Sequence, residues 1–215
     1  MILNPTPGLI DNLYLITLFA VIVSSASGVL KAGFKKFDLF GVIIIAIATG
    51  LGGGSLRDML LDREVFWIAN QVFFIASLAS AIFMFVIARL IAIPPKFFLI
   101  PDAAGLATFA IAGTLVALMS GTPWLIASFM GVMTGTMGGI FRDILSNEPP
   151  VVFQSPLYAT VCWGGSLIFI TLIKLQIDIS LAAILAGSGV FLSRMLAIQY
   201  NISLPKFRFR FRFRS

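Results

Sequence analysis

Apolar residues run along this chain in long unbroken blocks. Short groups of charged, proline or glycine positions separate them. Seven blocks come close to or exceed the ~20 residues that cross a hydrocarbon core. They cover roughly 11–31, 38–61, 68–92, 98–119, 123–145, 156–174 and 178–199. The connections are short, as in Asp62-Arg63-Glu64, Pro94-Pro95-Lys96 and Asn147-Glu148-Pro149-Pro150. Continuous apolar runs, rather than ten-residue alternating segments, argue against a β-barrel. The pattern predicts an all-α membrane protein with seven transmembrane helices.

One polar interruption occurs twice. TGLGGGSLRD at Thr49–Asp58 returns as TGTMGGIFRD at Thr134–Asp143, 85 residues later, with six of ten positions identical. The same offset aligns spans 1–3 with spans 4–6. Three spans per repeat bring the second copy in from the opposite side, so the repeats are inverted, an arrangement shared by many permeation proteins. The organisation read from this is 1–96 for the first three-helix repeat and 97–174 for the second. A seventh helix at 175–200 packs outside the bundle or builds an oligomer contact, and a basic tail occupies 201–215.

Composition narrows the function. The chain is 59% hydrophobic and 11% charged, with mean hydropathy +1.04, against about 25% charge in soluble domains. Histidine is absent and Cys162 is the single cysteine. That excludes a Cys/His metal site and a histidine triad. With no nucleophile–base pair either, the chain reads as no enzyme. No cofactor and no fixed metal are expected. No lysine or arginine precedes Lys31, so the first block reads as a retained span rather than a signal peptide.

Basic residues set the orientation. With the N-terminus outside, the cytoplasmic side holds 12 of the lysines and arginines and the other side holds Arg57, Arg63 and Lys174. The positive-inside rule then places the C-terminus in the cytoplasm. The tail KFRFRFRFRS alternates Phe and Arg and reads as a cationic segment on anionic headgroups. No folded nucleic-acid module stands behind it, so the expected partners are membrane lipids and not nucleic acid.

The doubled motif holds the candidate chemistry. Gly131, Gly135 and Gly139 fall at spacings of four, as do Ala46, Gly50 and Gly54, the small-xxx-small pattern of close helix packing. Gly52, Gly53 and Gly54 form a run of three, and each costs about 1 kcal/mol of helix propensity against alanine. Packing needs one small residue per turn, so the run favours a bend or local unwinding. Carbonyls freed there survive only against protein or a water-filled cavity, where they replace part of a cation's hydration shell. Thr49, Ser55, Thr134 and Thr136 set hydroxyls beside the bends. Arg57-Asp58 and Arg142-Asp143 follow within two turns. As sequence neighbours they point in different directions on a helix and are not expected to pair with each other. They read as holding the bend, lining the path, or both, with Asp58 and Asp143 favouring cations at the two pore mouths and Arg57 and Arg142 anchoring the bends or gating the path. Asp11 and Asp102 read as helix caps, or Asp102 as a pore-mouth residue. Ser24, Ser25 and Ser27 hydrate a pore or bond their own helix.

The doubled TGxxGGxxRD and the 3+3+1 layout resemble the prokaryotic members of the trimeric intracellular cation channel family, over nearly the whole chain to about residue 200. These sequences also look like a family labelled as a glycine transporter domain. The resemblance implies a homotrimer in a bacterial or archaeal inner membrane, with one pore per protomer. It implies conduction of monovalent cations, potassium especially, with potassium or sodium in transit, and bound lipid is compatible with it. Glycine bends in spans 2 and 5 shape the pore. On this chain they are Gly50, Gly52, Gly53 and Gly54, and Gly135, Gly138 and Gly139. Met137 stands where the first copy has Gly52, so the second bend is expected to be milder. The alternative is a secondary transporter for glycine or another small amino acid.

Overall fold

The computed structural model describes residues 7–202 apart from 34, 36, 155 and 156. Tail residues 203–215 and Lys36 lie outside the described residues. Among the described residues seven long helices form the bundle: α1 (Pro7–Ala32), α2 (Leu39–Leu60), α4 (Val72–Leu90), α5 (Leu99–Met119), α6 (Trp124–Leu145), α8 (Ala159–Lys174) and α9 (Ile179–Tyr200). Two short helices, α3 (Phe66–Ala69) and α7 (Val151–Gln154), sit at equivalent places in the two repeats. Spans 3 and 6 are therefore shorter than expected. The helix proper starts at Val72 rather than 68, and at Ala159 rather than 156. Among the described residues six helices are long and apolar enough to cross a membrane, and α8, at 16 residues, is shorter.

Local chemistry explains the boundaries. Asp38 caps α2, its side chain accepting from the Gly41 amide at 2.8 Å. Asp178 caps α9 through the Ser180 and Leu181 amides. The ends of α2 and α6 share one turn. Asp62 (φ 50°) and Asn147 (φ 52°) both take the left-handed conformation. The next residue closes a six-residue ring: the Arg63 amide donates to the Asp58 carbonyl, and the Glu148 amide to the Asp143 carbonyl, both at 2.9 Å. This is the Schellman end, built twice at the 85-residue offset.

Helix α5 is the centre of the bundle, buried from Ala103 to Leu118 except at Ala104 and Thr108. Helix α1 packs on α2, α4 and α5, and α6 on α5, α2 and α8. Helix α9 lies against α8 and α5, outside the repeat pair. Large apolar side chains point outward, including Phe40 (70% exposed), Phe83 (65%) and Ile184 (65%). The interior holds Arg57, Asp58, Asp102, Arg142, Asp143 and Arg194. That inversion of the soluble pattern suits a bundle in hydrocarbon.

Candidate functional site

The doubled motif builds one crossing and two buried ion clusters. Helices α2 and α6 cross through it. A Cβ on Gly53 would stand inside contact distance of the Thr134 carbonyl oxygen, and a Cβ on Gly138 would do the same to the Thr49 carbonyl. The contact is thus reciprocal, backbone against backbone.

Both helices run unbroken through their glycines, so the expected local unwinding is not found. The reason lies in the neighbours. Gly52 faces the Phe141 ring, Gly53 the α6 backbone, and Gly54 the Phe66 ring. Three successive glycines serve three different contacts around one helix, which the single-stripe packing pattern does not anticipate. The spaced-by-four positions pack within each repeat. Gly50 lies against Val21 and Ser25 of α1, and Gly135 against the Leu106 carbonyl of α5. Gly139 lies beside the Tyr158 hydroxyl.

The hydroxyls stay with their own helices. Thr49 donates to the Ile45 carbonyl at 2.6 Å, Thr134 to Met130 at 2.7 Å, and Thr136 to Val132 at 2.8 Å. Ser55 donates to Leu51 at 2.9 Å and accepts from Trp67 Nε1 at 2.8 Å. Thr49 and Thr134 also pack over Gly28 and Gly113 respectively, another pair at the repeat offset.

The Arg-Asp neighbours do pair, contrary to expectation. Arg57 Nε donates to Asp58 Oδ1 at 2.8 Å and Arg142 Nε to Asp143 Oδ1 at 2.9 Å. Deep burial (each aspartate is 1% exposed) removes the water that would otherwise compete, and the guanidinium folds back on its neighbour. The second oxygen has its own task. Asp58 Oδ2 accepts from the Phe66 amide at 3.0 Å, and Asp143 Oδ2 from the Val151 amide at 2.8 Å. Each aspartate thereby ties the end of a long helix to the first amide of the short helix after it.

The two ends then diverge. Arg142 Nη1 donates to Asp102 Oδ1 at 2.5 Å and to Ser27 Oγ at 3.0 Å. Its guanidinium lies 5.4 Å from the Phe98 ring centre. Asp102 is therefore an interior ion-pair partner in the first turn of α5, not a cap. Asp11 lies inside α1, exposed. Ser24, Ser25 and Ser27 are buried, Ser25 hydrogen-bonded to Ser77 at 2.8 Å. Arg194 of α9 sits 4.5 Å from the Tyr158 ring centre and brings a second buried guanidinium near this cluster. Sequence reasoning placed Arg194 only as a cytoplasmic charge. Its position on an otherwise apolar helix was the available signal. Among the described residues Asp58 is the one acid paired with Arg57, and Phe66 lies 5.7 Å from it.

Outside the α6 end, Glu148 bridges Lys31 and Lys35 of the α1 terminus, the latter at 3.1 Å. The hydrogen bond from Lys31 leads the causes that hold its carboxyl below the ordinary value, with Lys35 adding to it and burial opposing. A depressed carboxylate contributes stability above its unfolded pKa and loses it as pH falls through the folded one. Glu148→Gln is therefore expected to lower the melting temperature slightly at pH 7, with at most about 1 kcal/mol for such a surface bridge. The difference from wild type should vanish on acidification below the ordinary glutamate range. Thermal melts of both proteins across pH check this, and a gap that persists in acid would refute it.

Comparison with known proteins gives a consistent family. A family model described as glycine transporter matches residues 14–89 and 99–174, two stretches at the motif's own offset. A UPF0126 membrane protein of Vibrio cholerae is 39% identical over 202 residues, 91% of this chain and 82% of the relative. The UPF0126 inner membrane protein YadS of Escherichia coli is 34% identical over 197 residues, 90% of this chain and 95% of its own. The TRIC trimeric intracellular cation channel orthologue from Rhodobacter sphaeroides superimposes with a TM-score of 0.84 at 34% identity, covering 88% of this chain and 98% of that one. A prokaryotic TRIC channel solved in 0.5 M KCl gives 0.81 at 32% identity, covering 89% and 98%. With an inverted repeat crossing at paired glycines and shared sequence along nearly its full length, this chain is a multi-pass integral membrane protein of the trimeric intracellular cation channel family.

Proposed function

We propose that the protein is a passive cation channel, permeable to potassium, with one pore in each protomer of a homotrimer. The observation that carries the reading is the likeness, over 88% of the chain, to a solved TRIC cation channel. The path runs along α2 and α6, with the Gly53–Gly138 crossing at its narrowest level. Monovalent cations are its transient occupants and lipids its surroundings. The Arg-Asp clusters hold the two ends of that crossing in shape. The membrane is a prokaryotic inner membrane, with the N-terminus outside and the C-terminus in the cytoplasm, in line with the distribution of basic residues.

The second reading is a carrier for glycine or a similar small amino acid, favoured by the description of the matching family. Inverted repeats suit alternating access as well as a pore. Single-channel recording in a planar bilayer under a potassium gradient separates the two. The expected result is discrete current steps reversing near the potassium equilibrium potential. Silence in the bilayer, together with saturable uptake of labelled glycine by proteoliposomes, would replace the channel by the carrier.

A further inference from the structure

The two ends of the repeat differ at the position that completes each arginine. Arg142 is answered by two carboxylates, Asp143 and Asp102. Counting back 85 residues from Asp102 gives Thr17. Thr17 and Arg57 both line a cavity of about 500 Å³ at the α2 end of the bundle, walled by Tyr14 and Phe66 and carrying the exposed Arg63 and Glu64. Arg57 is 2% exposed, and its Nη1 has no hydrogen-bond partner. Asp58 meets Arg57 through Nε and Nη2 and turns its other oxygen to the Phe66 amide, so its contacts do not reach Nη1. A buried donor of this kind is costly to leave unmade. At the other end Asp102 answers Arg142 Nη1, and the nitrogen left without a partner is Nη2.

We propose that this cavity binds a small monocarboxylate, which takes at Arg57 the place that Asp102 takes at Arg142. The bound carboxylate accepts a charge-assisted hydrogen bond from Arg57 Nη1, and Thr17 brings a hydroxyl beside it. Arg63 adds positive charge to the approach. Asp58 and Glu64 set two negative charges around the same space, which favours a single charge on the ligand over a dianion.

The test is calorimetric titration of the purified full-length protein in detergent with sodium acetate, against sodium chloride at matched ionic strength. Wild type is expected to bind acetate saturably. Thr17→Asp supplies the missing carboxylate from within, so it should weaken acetate binding at least about tenfold, or ~1.4 kcal/mol, and raise the melting temperature without ligand. Thr17→Asn fills the same space without charge and should bind acetate within about threefold of wild type. Inorganic phosphate should compete at least about tenfold less well than acetate on the wild-type protein. No saturable acetate heat overturns the proposal. So does acetate binding that survives Thr17→Asp, or is lost equally in Thr17→Asn. Phosphate competing as well as acetate overturns the monocarboxylate assignment without any variant. The readout is binding, and it is independent of whether the protein conducts.

Discussion

Gly53→Ala is expected to destabilise the protein by about 3 kcal/mol, the upper end of the overpacking range, and to reduce conductance. The added methyl group meets the Thr134 carbonyl of α6, and a helix backbone cannot rotate aside as a side chain can. Gly138→Ala should behave alike, because its methyl group meets the Thr49 carbonyl. Either change separates α2 from α6 at the crossing, where the proposed path is narrowest. Gly164→Ala is the control. Nothing lies within 4 Å of a Cβ at that position of α8, so the helix propensity of alanine should leave stability unchanged or raise it by up to about 1 kcal/mol. Melting temperatures in detergent and single-channel conductance measure both effects. A Gly53→Ala protein as stable as wild type would show that the crossing tolerates separation and would remove the packing account.

Loss of Arg142 should be the more damaging of the two arginine substitutions. Arg142→Gln strands Asp102 and Asp143 in the interior, whereas Arg57→Gln strands Asp58 alone. Removing one partner of a buried pair costs about 3–5 kcal/mol, and two orphaned carboxylates place Arg142→Gln at the upper end. Asp102→Asn should fall between wild type and Arg142→Gln, because Arg142 keeps Asp143 while its Nη1 faces a neutral amide. Denaturant or thermal unfolding of the purified variants ranks them. Equal losses for Arg57→Gln and Arg142→Gln would mean that the extra acid at the α6 end contributes nothing.

The motif was legible as a pair, but its geometry was not. Small residues at spacings of four announce close helix contact, and the structure uses Gly50 and Gly135 in that way. The run Gly52-Gly53-Gly54 suggested a bend or local unwinding because a single packing stripe does not need three. It became intelligible once α2 was seen to meet Phe141, the α6 backbone and Phe66 on adjacent faces. The pairing of Arg57 with Asp58 was hidden for a similar reason. Neighbouring side chains diverge on a solvated helix, and only burial at both members makes the folded-back guanidinium the better arrangement. Asp102 and Arg194 were invisible as partners of the α6 end because they reach it from α5 and α9, across the bundle.

What the chain determined by itself is the number of spans, their approximate limits, the inverted repeat and the positions of the two motif copies. Those features are local or periodic. Apolar length sets a span, and an 85-residue offset is read directly from identity. Only the tertiary structure decided what each motif residue touches. A continuous α2 against a continuous α6, the capping of α3 and α7 by Asp58 and Asp143, and the unequal answer to Arg57 and Arg142 all depend on residues distant in sequence. Their contacts depend on the angle and depth at which helices pack, and no local pattern encodes those.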